Sequence, residues 1–201
     1  MAEMEEKEAG TRGIWHTTAS MLYILQNMLG GEVKDYQQQL VDDVADHFDV
    51  RFTKEQRMPP HFTLKYGFET GKIEEVEKVI GAFCEQYRRA TLRIGGFDHF
   101  DRDVIFTKVA LSKEAEHVFQ ELRKELLYCR EIDWSPFDLE HPRFHTTIAQ
   151  RCQRSFDAIM EFLKGKERQF DTVFDNITIL RKKYAKQIGG WQVHQSFGLM
   201  A

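Results

Sequence analysis

One arrangement occurs twice in this chain: a short strand-like run carrying His-x-Thr, then an amphipathic helix, then two further strands. The first copy holds His61-Phe62-Thr63-Leu64; the second, 84 positions later, holds His145-Thr146-Thr147-Ile148. Each follows a Pro-containing connection, Met58-Pro59-Pro60 in one case and His141-Pro142-Arg143 in the other. Strand side chains alternate between faces, so a histidine and a threonine two positions apart point the same way, with Cβ atoms roughly 6.5–7 Å apart. The order favours an α+β or α/β arrangement in which helices cover one face of each sheet and the other face is polar. Two such half-sites facing each other can hold one anion between two imidazoles.

The remaining elements follow from periodicity. Ser20 to Met28 suits a first strand, broken at Gly30-Gly31, and Asp35 is a candidate cap for a helix striped by Tyr36, Leu40, Val41, Val44 and Phe48. A second helix carries Ile73, Val76, Ile80, Phe83 and Tyr87 on one face. Thr91–Phe97 and Val104–Leu111 read as strands joined by a polar turn. Ser112 is a good N-cap for a third helix with Ala115, Val118, Phe119, Leu122, Leu126 and Cys129. An irregular stretch, Asp133–Arg143, leads to the second His-x-Thr strand. A shorter helix, Phe156–Lys164, follows it with Ile159, Phe162 and Leu163 inward. Val173–Leu180 and Trp191–Phe197 close the chain as two strands around the basic segment Arg181–Gly190, with Trp191 expected in the core.

At 201 residues the chain fits one domain or two small lobes sharing a core. A net charge of −4 argues against coating long duplex nucleic acid, which calls for a basic footprint, yet allows a basic pocket for one or two nucleotides. Cys84, Cys129 and Cys152 form no CxxC pair and no disulfide framework, so a reducing compartment is expected. The acidic N-terminus is no signal peptide, and no apolar run reaches membrane-spanning length. A soluble cytoplasmic monomer, with no membrane partner, is the expectation. Residues 1–19 are read as a tail and 20–198 as a single bilobal domain.

The loose pattern His-x-Ser/Thr also occurs at His16 and His194, so the motif alone is weak and its context must discriminate. His16 precedes the first strand. His194 sits on the polar side of the last strand but lacks the Pro-bearing approach and the following helix. His47, His99, His117 and His141 read as solvated. No HExxH or Cys/His cluster appears, so no metal site is expected. For His61, Thr63 and Lys65, alternation sets Phe62, Leu64 and Tyr66 on the apolar face and the polar three on the other. Polar groups on the inner face of a central strand are costly unless used.

At these residues the chain resembles the 2H phosphoesterase superfamily, whose members carry two His-x-Ser/Thr-x motifs, one per lobe. The branch it looks most like is the bacterial 2′-5′ RNA ligase-like group, which includes RNA 2′,3′-cyclic phosphodiesterases. The likeness runs from about residue 20 to 198; Thr146 stands where the second motif usually has an apolar residue. Members often place an arginine just beyond that motif, where this chain has Gln150 and then Arg151. The resemblance implies a bilobal, duplicated α+β fold with two antiparallel sheets around a central cleft and helices on the outer faces. It also implies chemistry on 2′,3′-cyclic or 2′-5′ phosphodiester bonds of RNA ends or nucleotides, without a metal or other cofactor.

On this reading His61 and His145 are the catalytic acid and base, in an order the sequence leaves open. Thr63 and Thr147 donate hydrogen bonds to phosphate oxygens. Lys65 and Arg143 are either substrate-binding cations on the cleft face or exposed strand-end charges. The alternatives are 2′-5′ RNA ligation by the same residues, a non-catalytic module that grips an RNA end or cyclic nucleotide, and an interaction protein in which both His/Thr pairs are core residues.

Overall fold

The apolar run Met21–Met28 forms strand β1. Gly31, at φ +57°, then turns the chain into helix α1 (Gly31–Phe48). A left-handed first residue explains glycine there. The helix begins before Asp35, which therefore lies inside it and does not cap it. Val33, Gln37, Leu40, Val41 and Val44 form its buried stripe. The computed structural model describes residues 21–135, 138, 142–183 and 188–201. The expected 1–19 tail, His16 and His141 lie outside them.

A five-residue helix, α2 (Phe52–Gln56), follows, with no buried residue to betray it as a stripe. Then come β2 (His61–Thr70), α3 (Ile73–Cys84), β3 (Ala90–Phe100), β4 (Val104–Leu111), α4 (Lys113–Tyr128) and β5 (His145–Gln150). The chain ends with α5 (Phe156–Leu163), β6 (Gln169–Phe174), β7 (Asn176–Lys182) and β8 (Gln192–Gly198). Ser112 caps α4 as expected, its Oγ accepting from the Ala115 N–H at 3.1 Å, a contact worth about 1 kcal/mol. The run expected as one strand, Val173–Leu180, is two, because the chain changes sheet at Asp175.

The described residues form two four-stranded antiparallel sheets, ordered β2-β1-β7-β8 and β5-β4-β3-β6. Both His-x-Thr strands are sheet edges, where the sequence suggested central strands. β3, from the first half of the chain, sits in the second sheet, while β7 and β8 from the second half complete the first. The larger core is shared by both sheets with α3 and α4, around Leu25, Phe62, Phe68, Ile80, Phe83, Ile94 and Leu122. A smaller one packs α1 and α5 on the second sheet through Leu40, Val44, Ile105, Ile148, Ile159 and Leu163. The three cysteines are free and buried. Among the described residues no helix is long and apolar enough to cross a membrane.

Candidate active site

The two histidines are held by the same local device. Nδ1 of His61 lies 2.7 Å from the Pro59 carbonyl, and Nδ1 of His145 lies 2.7 Å from the Arg143 carbonyl, in each case two residues back. A carbonyl only accepts, so both rings carry their proton on Nδ1 and leave Nε2 for chemistry. Pro59 and the following Pro60 fix the backbone of the first approach, which gives the Pro-bearing connection a physical purpose.

Burial, reinforced by the charge of His145, outweighs the Pro59 hydrogen bond and pushes the His61 pKa down to about 4. His145 is lowered as well, by burial and by the Arg143 guanidinium. Phe100 and Phe106 wall it in, their ring centroids 5.1 and 4.8 Å from the imidazole. Both rings are therefore neutral at pH 7 before an anion arrives.

The threonines are crossed between two cavities. His61 and Thr147 line the larger, about 460 Å³, against α1 and α2. His145 and Thr63 line the smaller, about 20 Å³. Each cavity thus takes the histidine of one motif and the threonine of the other. Gln37 of α1 holds the second motif in place: its Nε2 donates to the Thr146 and Thr147 carbonyls at 3.2 and 3.4 Å, while its Oε1 accepts from Thr107 Oγ1 at 3.0 Å.

The two expected cations part company. In β2 the register slips by one residue between Thr63, opposite Gln26, and Lys65, opposite Leu25. That bulge turns Lys65 onto the face of Leu25, away from the Thr63 face. There its Nζ donates to Asp138 Oδ2 at 3.0 Å, with both side chains almost wholly buried. Its charge is already matched, so Lys65 is not a substrate-binding cation. The same slip exposes Tyr66, expected on the apolar face; it lines the smaller cavity. Arg143 is exposed, lies over the Phe100 ring at 4.8 Å and bonds Asp98 at 2.8 Å, beside His145.

His194 stays out of the cleft, bonded to Glu77 of α3 and 5.8 Å from the Tyr23 ring centroid. His47, His99 and His117 are exposed, as read from sequence. Arg151 stacks over Phe52 of α2 at 3.8 Å. Trp191, expected in the core, is only half-buried and stacks under the Lys182 ammonium at 4.6 Å.

Three residues escaped the sequence reading. Gln37 interrupts an apolar helical stripe, a signal that was available. Lys108 pairs with His145 across β4 and β5, and strand alternation places them on one face. Gln26 is fully buried opposite Thr63 and Thr178, and neither end of its amide has a partner among the described residues. No three His, Cys, Asp or Glu among those residues are grouped to hold a metal.

Comparison with known proteins agrees with this fold. A profile of the 2′-5′ RNA ligase superfamily matches residues 33–185. A protein of Bacillus pumilus (strain SAFR-032), a phosphoesterase by name only, is 26% identical over 163 residues, which is 78% of this chain and 90% of the relative. One of Geobacillus thermodenitrificans (strain NG80-2), named likewise, is 23% identical over 164 residues, covering 78% and 88%. Among solved structures, TT0787 of Thermus thermophilus superposes with TM-score 0.60 at 17% identity, over 89% of this chain and 98% of that one. Escherichia coli LigT complexed with 3′-AMP gives TM-score 0.58 at 13% identity, over 90% and 99%. At these identities the structures speak for the fold.

Proposed function

This chain belongs to the 2′-5′ RNA ligase superfamily, and from that premise we propose that it is a metal-independent phosphodiesterase. Its substrates are 2′,3′-cyclic phosphates or 2′-5′ phosphodiesters of nucleotides or RNA ends. The observation that carries the reading is the matched pair of imidazoles, each pinned through Nδ1 to a carbonyl and each presenting Nε2. The solved LigT complexes with 3′-AMP and with phosphate, named as such, make a phosphate group the natural ligand to test.

The chemistry follows from protonation. One neutral imidazole takes a proton from water through Nε2 as the water oxygen bonds to phosphorus. The bond from phosphorus to the ribose oxygen breaks on the opposite side, and the other ring, as imidazolium, returns a proton to that oxygen. The incoming phosphate supplies the condition for the second role, because its negative charge raises the pKa of a neighbouring imidazole. Thr63 and Thr147 donate to the non-bridging oxygens, and Arg143 adds positive charge beside His145.

The test is hydrolysis of a nucleoside 2′,3′-cyclic phosphate in the presence of EDTA. Turnover should persist, and His61→Ala or His145→Ala should each reduce it by about 10²–10⁴. Near-full activity in either variant overturns the proposal. Tight binding with no product after long incubation replaces the enzyme with a binding module. Joining of a cyclic phosphate end to a 5′-hydroxyl end identifies the same residues run in the ligase direction.

A further inference from the structure

The two cavities, one beside each histidine, differ greatly in size. About 20 Å³ beside His145 and Thr63 has room for roughly one water molecule. About 460 Å³ beside His61 and Thr147 falls in the roughly 300–1,000 Å³ range of small-ligand sites. A substrate phosphate held between the rings therefore has one side on which its organic part fits.

That larger cavity is lined by α1 and α2, and its wall is chemically uneven. Lys34 and Arg57 are exposed on it, and neither side chain has an acidic partner among the described residues. Lys54, on the same wall, is by contrast bridged to Asp42 and Asp46. Thr53 also lines the cavity, and its hydroxyl is buried and without a partner among those residues. Gln38 adds an amide, though it also donates to Asp42. Val41 and Met58 give the cavity apolar surface on which a base can lie.

We propose that the α1–α2 cavity is a subsite for a nucleoside together with a second phosphate. Lys34 and Arg57 bind that phosphate, one nucleoside away from the phosphate that reacts. The protein then favours an RNA end, or a nucleotide with a 5′-phosphate, over a nucleoside carrying the cyclic phosphate alone. An unpaired cation at the mouth of a cavity favours an anion there, and a bidentate arginine–phosphate contact is among the stronger ones. This inference rests on the phosphodiesterase reading.

The experiment compares adenosine 2′,3′-cyclic phosphate with its 5′-phosphorylated form and with a dinucleotide ending in the cyclic phosphate. Wild-type kcat/KM should be at least about tenfold higher for the two substrates with a second phosphate, the range expected of one charge-assisted contact of roughly 1.5–3 kcal/mol. In a Lys34→Ala/Arg57→Ala double variant that ratio should fall toward one, and Lys34→Arg/Arg57→Lys should restore most of it. Equal rates on all three substrates in the wild type overturn the subsite while leaving the phosphodiesterase standing, as does a double variant that keeps the preference. If no substrate is turned over, the phosphodiesterase reading fails. The subsite is then judged by calorimetry: tighter binding of adenosine 3′,5′-bisphosphate than of adenosine 3′-phosphate, lost in the double variant, sustains it, and equal affinities overturn it.

Discussion

The His61 ring rests neutral because the fold has made its cation expensive. Its pKa of about 4 lies below the unperturbed 6.5 of a histidine. Between those two values the unfolded chain binds a proton that the folded chain does not. The neutral ring's contribution is fully present above pH 6.5, and stability falls as the pH is lowered toward 4. An NMR titration should place the His61 midpoint near 4, and inorganic phosphate should move it upward by supplying the counter-charge. In urea melts from pH 6.5 to 4, His61→Gln should lose stability less steeply than the wild type. A midpoint near 6.5, unmoved by phosphate, would show that burial does not control this ring.

Among the elements, the edge strand β2 owes its position to a residue far away in sequence. Asp138 Oδ1 accepts from the Tyr66 N–H at 3.0 Å, while Oδ2 accepts from Lys65 Nζ and from both the N–H and the hydroxyl of Ser135. Burial works to raise the Asp138 pKa, but the Ser135 and Lys65 contacts outweigh it and keep the carboxylate ionised. Asp138→Ala leaves the Lys65 ammonium buried and unpaired, so it should cost about 3–5 kcal/mol of unfolding free energy in urea. Lys65→Met/Asp138→Leu should recover most of that, and a double variant no more stable than Asp138→Ala would refute the buried-charge explanation. None of this was legible in the sequence. Alternation placed His61 and Thr63 correctly, because the register holds as far as Thr63. It misplaced Lys65 and Tyr66, because a bulge carries no local signature and its partner lies 73 positions on. The stripes of α3 and α4 were readable from their spacing. Helix α2 was not, since five residues without a buried one leave no period to detect.

For the whole molecule, the two-lobed arrangement was readable because the same order of elements recurs around each motif. Which strand joins which sheet was not, since pairing depends on contacts between distant segments. The exchange of β3 against β7 and β8 is the part that matters most. Each sheet is assembled from both halves of the sequence, so neither half carries a finished lobe. The only covalent link between the halves at the midpoint is the exposed β3–β4 turn, where Asp101 and Arg102 adopt φ of 44° and 61°. A backbone cut at that turn severs nothing that the strand ladders and the interdigitated cores do not also hold. Fragments 1–101 and 102–201, each lacking the other's strands, should be unfolded when separate and should reassemble on mixing into a split protein with native circular dichroism. A fragment that melts cooperatively by itself would show that the halves are independent. Reassembly would mean that the two histidines can be delivered to one phosphate by two separate polypeptides.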